Sequence, residues 1–294
     1  MRSTLIGFLQ VALAVALVTA IAEPAQMNEP PDEHSYQRRY VEGEKYSYEV
    51  VTEGPEPDIA IADVEVRLDG SRPHEWIQWR SLESGSKDLS EAAKRMPGYS
   101  LSLLPDAPLP LVKPVDNPEM MGPVTDFYTF YFAVSHLAGS DQVKRIGETY
   151  LRPEPVVGDW SDGKDFLAGQ SRERVSIKLV TLTPRLAGYE TTFAPVGGTE
   201  FVASWMADPA CDGQPNNFQM VKSQQPGYLA VWGCEHYSIH SDTDRRTGQI
   251  LSAQMIDDLR WHLKFCQDRE LQTCTPVPDL NQHRVVYLRL LRER

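Results

Sequence analysis

The 294-residue chain has few cysteines, too few basic residues to balance its acidic ones, and no strong catalytic or cofactor signature. Four cysteines are too few for a disulfide scaffold without a core, and no Gly-X-Y repeat indicates collagen. With 29 Lys and Arg against 41 Asp and Glu, the net charge is −12, which argues against nucleic acid as a partner because phosphate affinity depends on basic side chains. A hydrophobic content of 41% excludes a disordered chain. An acidic globular protein remains.

The one long hydrophobic run lies at the start of the chain. Residues 1–22 combine Arg2, an apolar stretch and an Ala-Ile-Ala tripeptide, which is the pattern of a secretory signal peptide cut after Ala22. A single membrane anchor is the alternative, since 4–22 is close to the length that spans a bilayer. We therefore expect export to the periplasm or the extracellular space, with no transmembrane segment in the mature chain.

All four cysteines follow the predicted signal peptide and would meet an oxidising compartment, so two disulfides are expected. Three connectivities exist. Cys211 with Cys234 and Cys266 with Cys274 are favoured because these pairs close local loops. The chain has no C-x-x-C pair, which argues against a metal site or a reactive thiol.

Composition divides the mature chain into a leader and a domain. Residues 23–37 are acidic, rich in proline and almost free of aliphatic side chains, which predicts a flexible leader. Residues 38–294 are interpreted as a single β-rich domain. The proline-rich segment 97–123 also contains many leucines, so it is either an ordered connection over the core or a boundary that subdivides this domain.

Apolar and polar residues alternate over 46–50, 62–68 and 175–179, as in half-buried antiparallel strands. Further strands are expected over 76–82, 189–193, 218–221, 228–232, 235–240, 249–251 and 285–291. The predicted fold is mainly β (α+β), a curved antiparallel sheet or half-barrel-like meander with two or three packed helices.

Three segments predict the helices. Asp88 to Glu91 resembles a capping box before a short helix that ends at Pro97. Residues 125–139 place an aromatic stripe on one helical face, although a strand through the same aromatics also fits. From Ser252, the apolar side chains of Ile256, Leu259, Leu263 and Cys266 share a helical face.

Four parts of the sequence stand out as motifs: Gly122 to Tyr131, Trp160 to Gly163, Pro215 to Asn217, and Gly248 to Met255 leading to Cys266 and Cys274. In these segments the chain resembles a family of uncharacterised bacterial exported (periplasmic) proteins. The resemblance covers about residues 120–290 and implies export and a β-rich fold, but the family has no assigned activity and supplies no catalytic residue.

Two histidine-containing segments are candidates for a catalytic or metal site. His74 and Glu75 begin a sequence one residue away from the H-E-x-x-H zinc motif, but Gln78 replaces the second histidine, so an exposed strand is the better interpretation. His236 and His240 share a strand face with Ser238 and Asp242. Positions i and i+4 of a strand lie about 13 Å apart, too far for two zinc ligands, and a polar solvent face explains the pattern.

Two acidic loops, 159–165 and 242–248, invite a calcium interpretation, but neither matches the EF-hand pattern and both are typical of turns. Trp76 and Trp79 could stack on a sugar, or lie in the core. The aromatic stripe could line a cavity for an apolar ligand between helix and sheet, or could simply be core. The predicted ligand-lining residues are Phe127, Phe130, Tyr131 and Val134.

The leading hypothesis is an exported, non-enzymatic cell-envelope protein that binds an amphipathic small molecule or an envelope protein, with no cofactor and no metal. A secreted hydrolase with a site assembled only in the fold is the alternative, with His236 or His240 as the general base. A carbohydrate-binding module is a third hypothesis.

Overall fold

The structure is a computed structural model that describes residues 38–54, 56–70, 72–103, 118–138, 143–159, 161, 163–164, 166–207 and 213–291. The predicted signal peptide, the predicted leader, Cys211 and the middle of the proline-rich segment lie outside these residues. The described residues belong to one compact unit.

Long strands dominate the chain, and two α-helices accompany them within the described residues. The helices are α1 (Ser90–Arg95) and α2 (Met121–Ala138). The strands are β1 (Lys45–Thr52), β2 (Asp58–Asp69), β3 (Arg72–Ser84), β4 (Lys87–Asp88), β5 (Tyr99–Leu101), β6 (Thr149–Leu151), β7 (Val156–Asp159), β8 (Phe166–Leu182), β9 (Leu186–Pro195), β10 (Phe218–Gln224), β11 (Gly227–Asp244), β12 (Ile250–Cys266) and β13 (Cys274–Leu291).

These strands form one 13-stranded antiparallel sheet. From β11 the order runs through β12, β13, β1 and β2 to β3, while β4 and β5 pair with the far side of β3. Beyond β11, both β9 and β10 lie between β11 and β8: β9 pairs with one half of each long strand and β10 with the other. The two short strands therefore lie end to end and leave a break between them.

The sheet curves around α2, which packs against β1, β11, β12 and β13. Phe127 of α2 contacts Trp79 of β3, with ring centroids 5.6 Å apart. Phe132, one helical turn further, stacks on Phe193 of β9 at 6.0 Å. One helix thus reaches side chains near both ends of the strand order. The mainly β fold with packed helices is confirmed.

The predicted helix from Ser252 is wrong, because this segment is part of strand β12. Along the strand, Met255, Asp257 and Leu259 point inward and are buried, whereas Ile256 and Asp258 are exposed. At two positions the polarity is the reverse of that expected for a strand, since Asp257 is buried and Ile256 is exposed. The apolar residues of this segment therefore follow the spacing of a helix although the segment is a strand.

No helix among the described residues is long and apolar enough to cross a membrane.

Candidate acidic site on the concave face of the sheet

A cavity of about 180 Å³ lies on the concave face of the sheet, beside the first turns of α2. Four carboxylates and one guanidinium face it, together with an apolar wall. Thr129, Ser171 and Glu235 are only half-buried, so the cavity opens to solvent at that side. We call it the acidic cavity; its lining comprises Thr125, Asp126, Thr129, Ser171, Glu173, Phe218, Glu235, Tyr237, Met255, Asp257 and Arg284.

Strand alternation places the charged side chains on this face. Glu173 of β8 continues the buried row of Val175 and Ile177, and Asp257 of β12 continues that of Met255. Neighbouring strands then align the groups: Tyr237 is the register partner of Asp257, which in turn faces Arg284. Residues distant in sequence are thereby adjacent in space.

Asn217 closes the break between β9 and β10. Its side-chain Oδ1 accepts from the backbone N–H of Glu235 at 2.9 Å, and its Nδ2 donates to the Glu235 carbonyl at 3.2 Å. The same Nδ2 lies 3.5 Å from Glu173 Oε1. This fully buried amide replaces the missing backbone partner of β11 and holds the strand that carries Glu235 in place.

Arg284 forms the main ion pairs of the acidic cavity. Its Nη2 donates to both carboxylate oxygens of Asp126, at 2.7 and 2.8 Å, and its Nη1 donates to Asp257 Oδ2 at 3.3 Å. Thr52 adds a hydrogen bond to Asp126 at 3.2 Å. The Asp126 carboxylate is well compensated, whereas Asp257 receives one long bond.

Two carboxylates of the cavity have oxygens that accept no hydrogen bond from the described residues. Asp257 is 2% exposed, and its Oδ1 has no hydrogen-bond partner. The side-chain oxygens of Glu235 accept no hydrogen bond from the residues that the structure describes. A buried carboxylate oxygen without a donor is costly, and such groups in native proteins call for an explanation such as an absent ion, water or ligand.

These surroundings raise the pKa values of the acidic groups. Burial raises the pKa of Glu173 to about 7. Burial, with the neighbouring Asp257 charge as the second cause, raises the pKa of Glu235 to about 8. Burial also raises the pKa of Asp257 to about 6, although Arg284 opposes the shift. Burial raises the pKa of Asp126 as well, again against Arg284. The cavity therefore takes up and releases protons near neutral pH.

Metal binding has no support in this geometry. Within the described residues, no three His, Cys, Asp or Glu side chains are grouped in a way that could hold a metal ion.

The predicted ligand-lining aromatics lie elsewhere. Phe127, Phe130 and Tyr131 are completely buried and Val134 is nearly so, all within the main hydrophobic core. Phe127 packs on Tyr48 and on Tyr131. None of the four lines the acidic cavity. Their role in ligand binding stays a prediction.

The histidine segments differ from one another. The sequence predicts an exposed strand around Glu75, and this is wrong for the glutamate itself. Glu75 is 1% exposed and is hydrogen-bonded to Arg38 and Tyr46. His236 and His240 do lie on the solvent face of β11. His240 is 3.6 Å from Asp242, whose other oxygen accepts from Ser252. No described serine donates a hydrogen bond to either histidine, and the role of His236 or His240 as a general base stays a prediction.

The tryptophans and the acidic turn have structural surroundings. Trp79 is 1% exposed and lies in the core, whereas Trp76 is half-buried under the guanidinium of Arg67. In loop 242–248, Asp244 accepts the backbone N–H groups of Arg246 and Thr247, as turn chemistry requires.

Cys266 and Cys274 form the expected disulfide between β12 and β13. The predicted partner of Cys234, Cys211, lies outside the described residues, so that pairing stays a prediction.

Sequence reasoning missed the acidic cavity as a site. Each of its carboxylates stands alone in its segment, and only a fold can join positions 126, 173, 235 and 257. A faint signal was present, because Asp126 and Asn217 belong to two of the segments on which the family resemblance rests.

Comparison with known proteins adds no assignment, since no protein-family model, no curated protein and no solved structure matches the chain.

Proposed function

We propose that this is an exported, non-enzymatic binding protein that holds a small amphipathic molecule in the acidic cavity. The unpartnered Oδ1 of the buried Asp257 is the observation that carries the proposal. An oxygen in this position is satisfied when a ligand in the cavity donates a hydrogen bond to it. The structure of the wall fits such a ligand, because Phe218, Tyr237 and Met255 offer apolar surface opposite the carboxylates.

Export is supported by the N-terminal pattern of the sequence and by the Cys266–Cys274 disulfide, which is typical of oxidising compartments.

The test is native mass spectrometry of the mature protein recovered from its own exported fraction. We expect a complex heavier than the chain, which loses a small molecule on denaturation. Thr129→Trp places a large ring at the rim of the cavity and should abolish the complex, whereas Met121→Trp, on an exposed part of the same helix, should retain it. A chain that is always found at its own mass, or a complex indifferent to Thr129→Trp, contradicts the proposal.

A hydrolase is the second candidate, and one observation favours it: Glu173 and Asp257, both lining one cavity, have pKa values of about 7 and about 6, the range of general acids and bases. In that case the site uses carboxylates rather than the predicted His236 or His240. A hydrolase would release the bound molecule cleaved and with water added, whereas a binding protein returns it unchanged.

A further inference from the structure

The acidic cavity contains more carboxylates, which accept hydrogen bonds, than cationic groups, which donate them. Four carboxylates bring eight acceptor oxygens, and an ionised carboxylate donates nothing. The charged donor is Arg284, which donates hydrogen bonds to Asp126 and Asp257. Four side-chain hydroxyls, from two threonines, Ser171 and Tyr237, also line the cavity, but its four carboxylates outnumber its one guanidinium, so a ligand that donates hydrogen bonds complements it.

Charge leads to the same conclusion. Among the residues that the structure describes, Arg284 is the only cationic side chain that lines the cavity, and it faces four acidic ones. It is already bound on both sides, to Asp126 by two short bonds and to Asp257 by a longer one. A ligand carboxylate or phosphate would therefore find no free positive partner and would add to the repulsion among the carboxylates.

The cavity also has an aromatic and apolar part. The ring of Tyr237 stacks on Phe193 at a centroid distance of 4.3 Å, and Phe218 stacks on Trp261 at 4.8 Å, so both rings are held in fixed positions. Aromatic faces attract cations and pack against methylene groups. A volume of about 180 Å³ is suited to a short organic ion rather than to a long acyl chain.

We propose that the ligand of the acidic cavity is a small organic ammonium ion whose NH₃⁺ group donates to Asp257 Oδ1 and Glu235, with its apolar stem against Phe218 and Tyr237. This inference rests on the proposed binding function and adds the chemical class of the ligand. An ammonium group has three donors and no acceptor, which complements this set of oxygens.

Protons compete with this ligand for the same oxygens. The titratable or charged groups that face the cavity are Asp126 from α2, Glu173 from β8, Glu235 and Tyr237 from β11, Asp257 from β12 and Arg284 from β13. When the cavity is empty, raised pKa values keep part of the carboxyl groups neutral near pH 7. Binding of the cation must release those protons, so affinity rises with pH as long as the amine stays protonated.

Isothermal titration calorimetry with three probes of equal length tests the proposal: n-butylammonium, 1-butanol and butyrate. We expect only n-butylammonium to bind, more tightly by about tenfold at about pH 8 than at about pH 5.5, with proton release seen as a buffer-dependent enthalpy. Asp257→Asn and Glu235→Gln should each weaken it by about tenfold or more.

Asp258→Asn is the matched control, because Asp258 follows Asp257 on the same strand but lies on the opposite, exposed face. It should leave the affinity within about twofold of wild type. Circular dichroism and urea unfolding show that each variant is folded.

The outcomes separate the two proposals. Binding of 1-butanol or butyrate that equals or exceeds that of n-butylammonium, and is lost in Thr129→Trp, overturns the ammonium class while the binding function stands. No binding of n-butylammonium, or binding unaffected by Asp257→Asn, also overturns the ammonium class. The binding function is then tested separately, by whether native mass spectrometry detects a small molecule bound to the chain.

Discussion

Two buried groups of charged side chains lie beside the same helix and are balanced in opposite ways. Around Arg38, the guanidinium Nε is 3.2 Å from Glu75 Oε1 and Nη2 is 2.7 Å from Glu44, while the Tyr46 hydroxyl donates to Glu75 at 2.5 Å. The acidic cavity instead has four carboxylates for one arginine. We call the first group the Arg38 cluster.

The difference separates a structural role from the binding role that we propose. Oε2 of Glu75 also lacks a hydrogen-bond partner. A phenol is nevertheless close to it, since burial and, second, the Glu75 charge raise the pKa of the Tyr131 hydroxyl well above its usual value. A hydroxyl can rotate to donate, so the Arg38 cluster can satisfy itself. The acidic cavity also contains a phenol, since burial and, after it, the charges of Glu173, Glu235 and Asp257 raise the pKa of the Tyr237 hydroxyl well above its usual value. A single phenol proton cannot satisfy four carboxylates, so a donor from outside the protein would complement them.

The largest expected effect concerns the aromatic stripe of α2, which lies beside the Arg38 cluster and the acidic cavity. Phe127→Ala should lower the free energy of unfolding by about 4 kcal/mol, because a completely buried ring that packs on Tyr48 and Trp79 leaves a cavity. Urea unfolding measures it, and Met121→Ala on the exposed side of α2 should stay within about 0.5 kcal/mol. A small loss of stability in Phe127→Ala, together with a loss of ligand, would assign the stripe to binding instead.

Glu75→Gln comes next and tests the Arg38 cluster. We expect a loss of about 3 kcal/mol in unfolding free energy, since the variant removes the charge that compensates a buried guanidinium. Glu65→Gln is the control, because Glu65 pairs with Arg67 and Lys45 at the surface and should cost less than about 1 kcal/mol. Equal costs for the two variants would show that burial does not distinguish these pairs.

Asp257→Asn should have the opposite sign. At about pH 8 it should raise the free energy of unfolding of the empty protein by about 1 kcal/mol, because it removes a buried charge whose pKa is raised to about 6. Arg284 keeps Asp126 as its partner. Asp258→Asn, on the outer face, should change stability by less than about 0.5 kcal/mol. If Asp257→Asn destabilises the protein at this pH, Asp257 is a structural partner of Arg284 and the comparison with the Arg38 cluster fails.

The last prediction concerns the pH dependence of stability rather than a single free energy. The folded-state pKa values of Glu173 and Glu235, about 7 and about 8, lie above the ordinary glutamate value of 4.5. The folded protein therefore holds protons more tightly, and the contribution of these groups to stability is complete below about pH 4.5 and is lost as the pH rises to about 8.

Glu235→Gln should make this decline shallower, by at most about 1.4 kcal/mol per pH unit where Glu235 alone titrates. Urea unfolding at a series of pH values measures the slope. Equal slopes for the variant and the wild type would show that Glu235 is not protonated in the folded protein.

Much of the fold follows from local patterns in the sequence. Alternation over 46–50 and 175–179 predicted parts of β1 and β8, and the aromatic stripe predicted α2. The same rule failed at β12, where Asp257 occupies a buried position and Ile256 an exposed one. The failure has a physical cause, since a buried carboxylate beside an exposed isoleucine breaks the polarity rule by which strands are recognised.

The sequence by itself determined the β-rich class and the acidic balance, and it favoured helix α2 and the Cys266–Cys274 disulfide over their alternatives, because each depends on residues close in the chain or on composition. Only the tertiary structure decided where the charges meet. Asp126, Glu173, Glu235 and Asp257 come from four different elements, and curvature of the sheet around α2 brings them to one cavity with a single arginine. No local pattern encodes such a meeting, because it depends on strand order and register across the whole sheet.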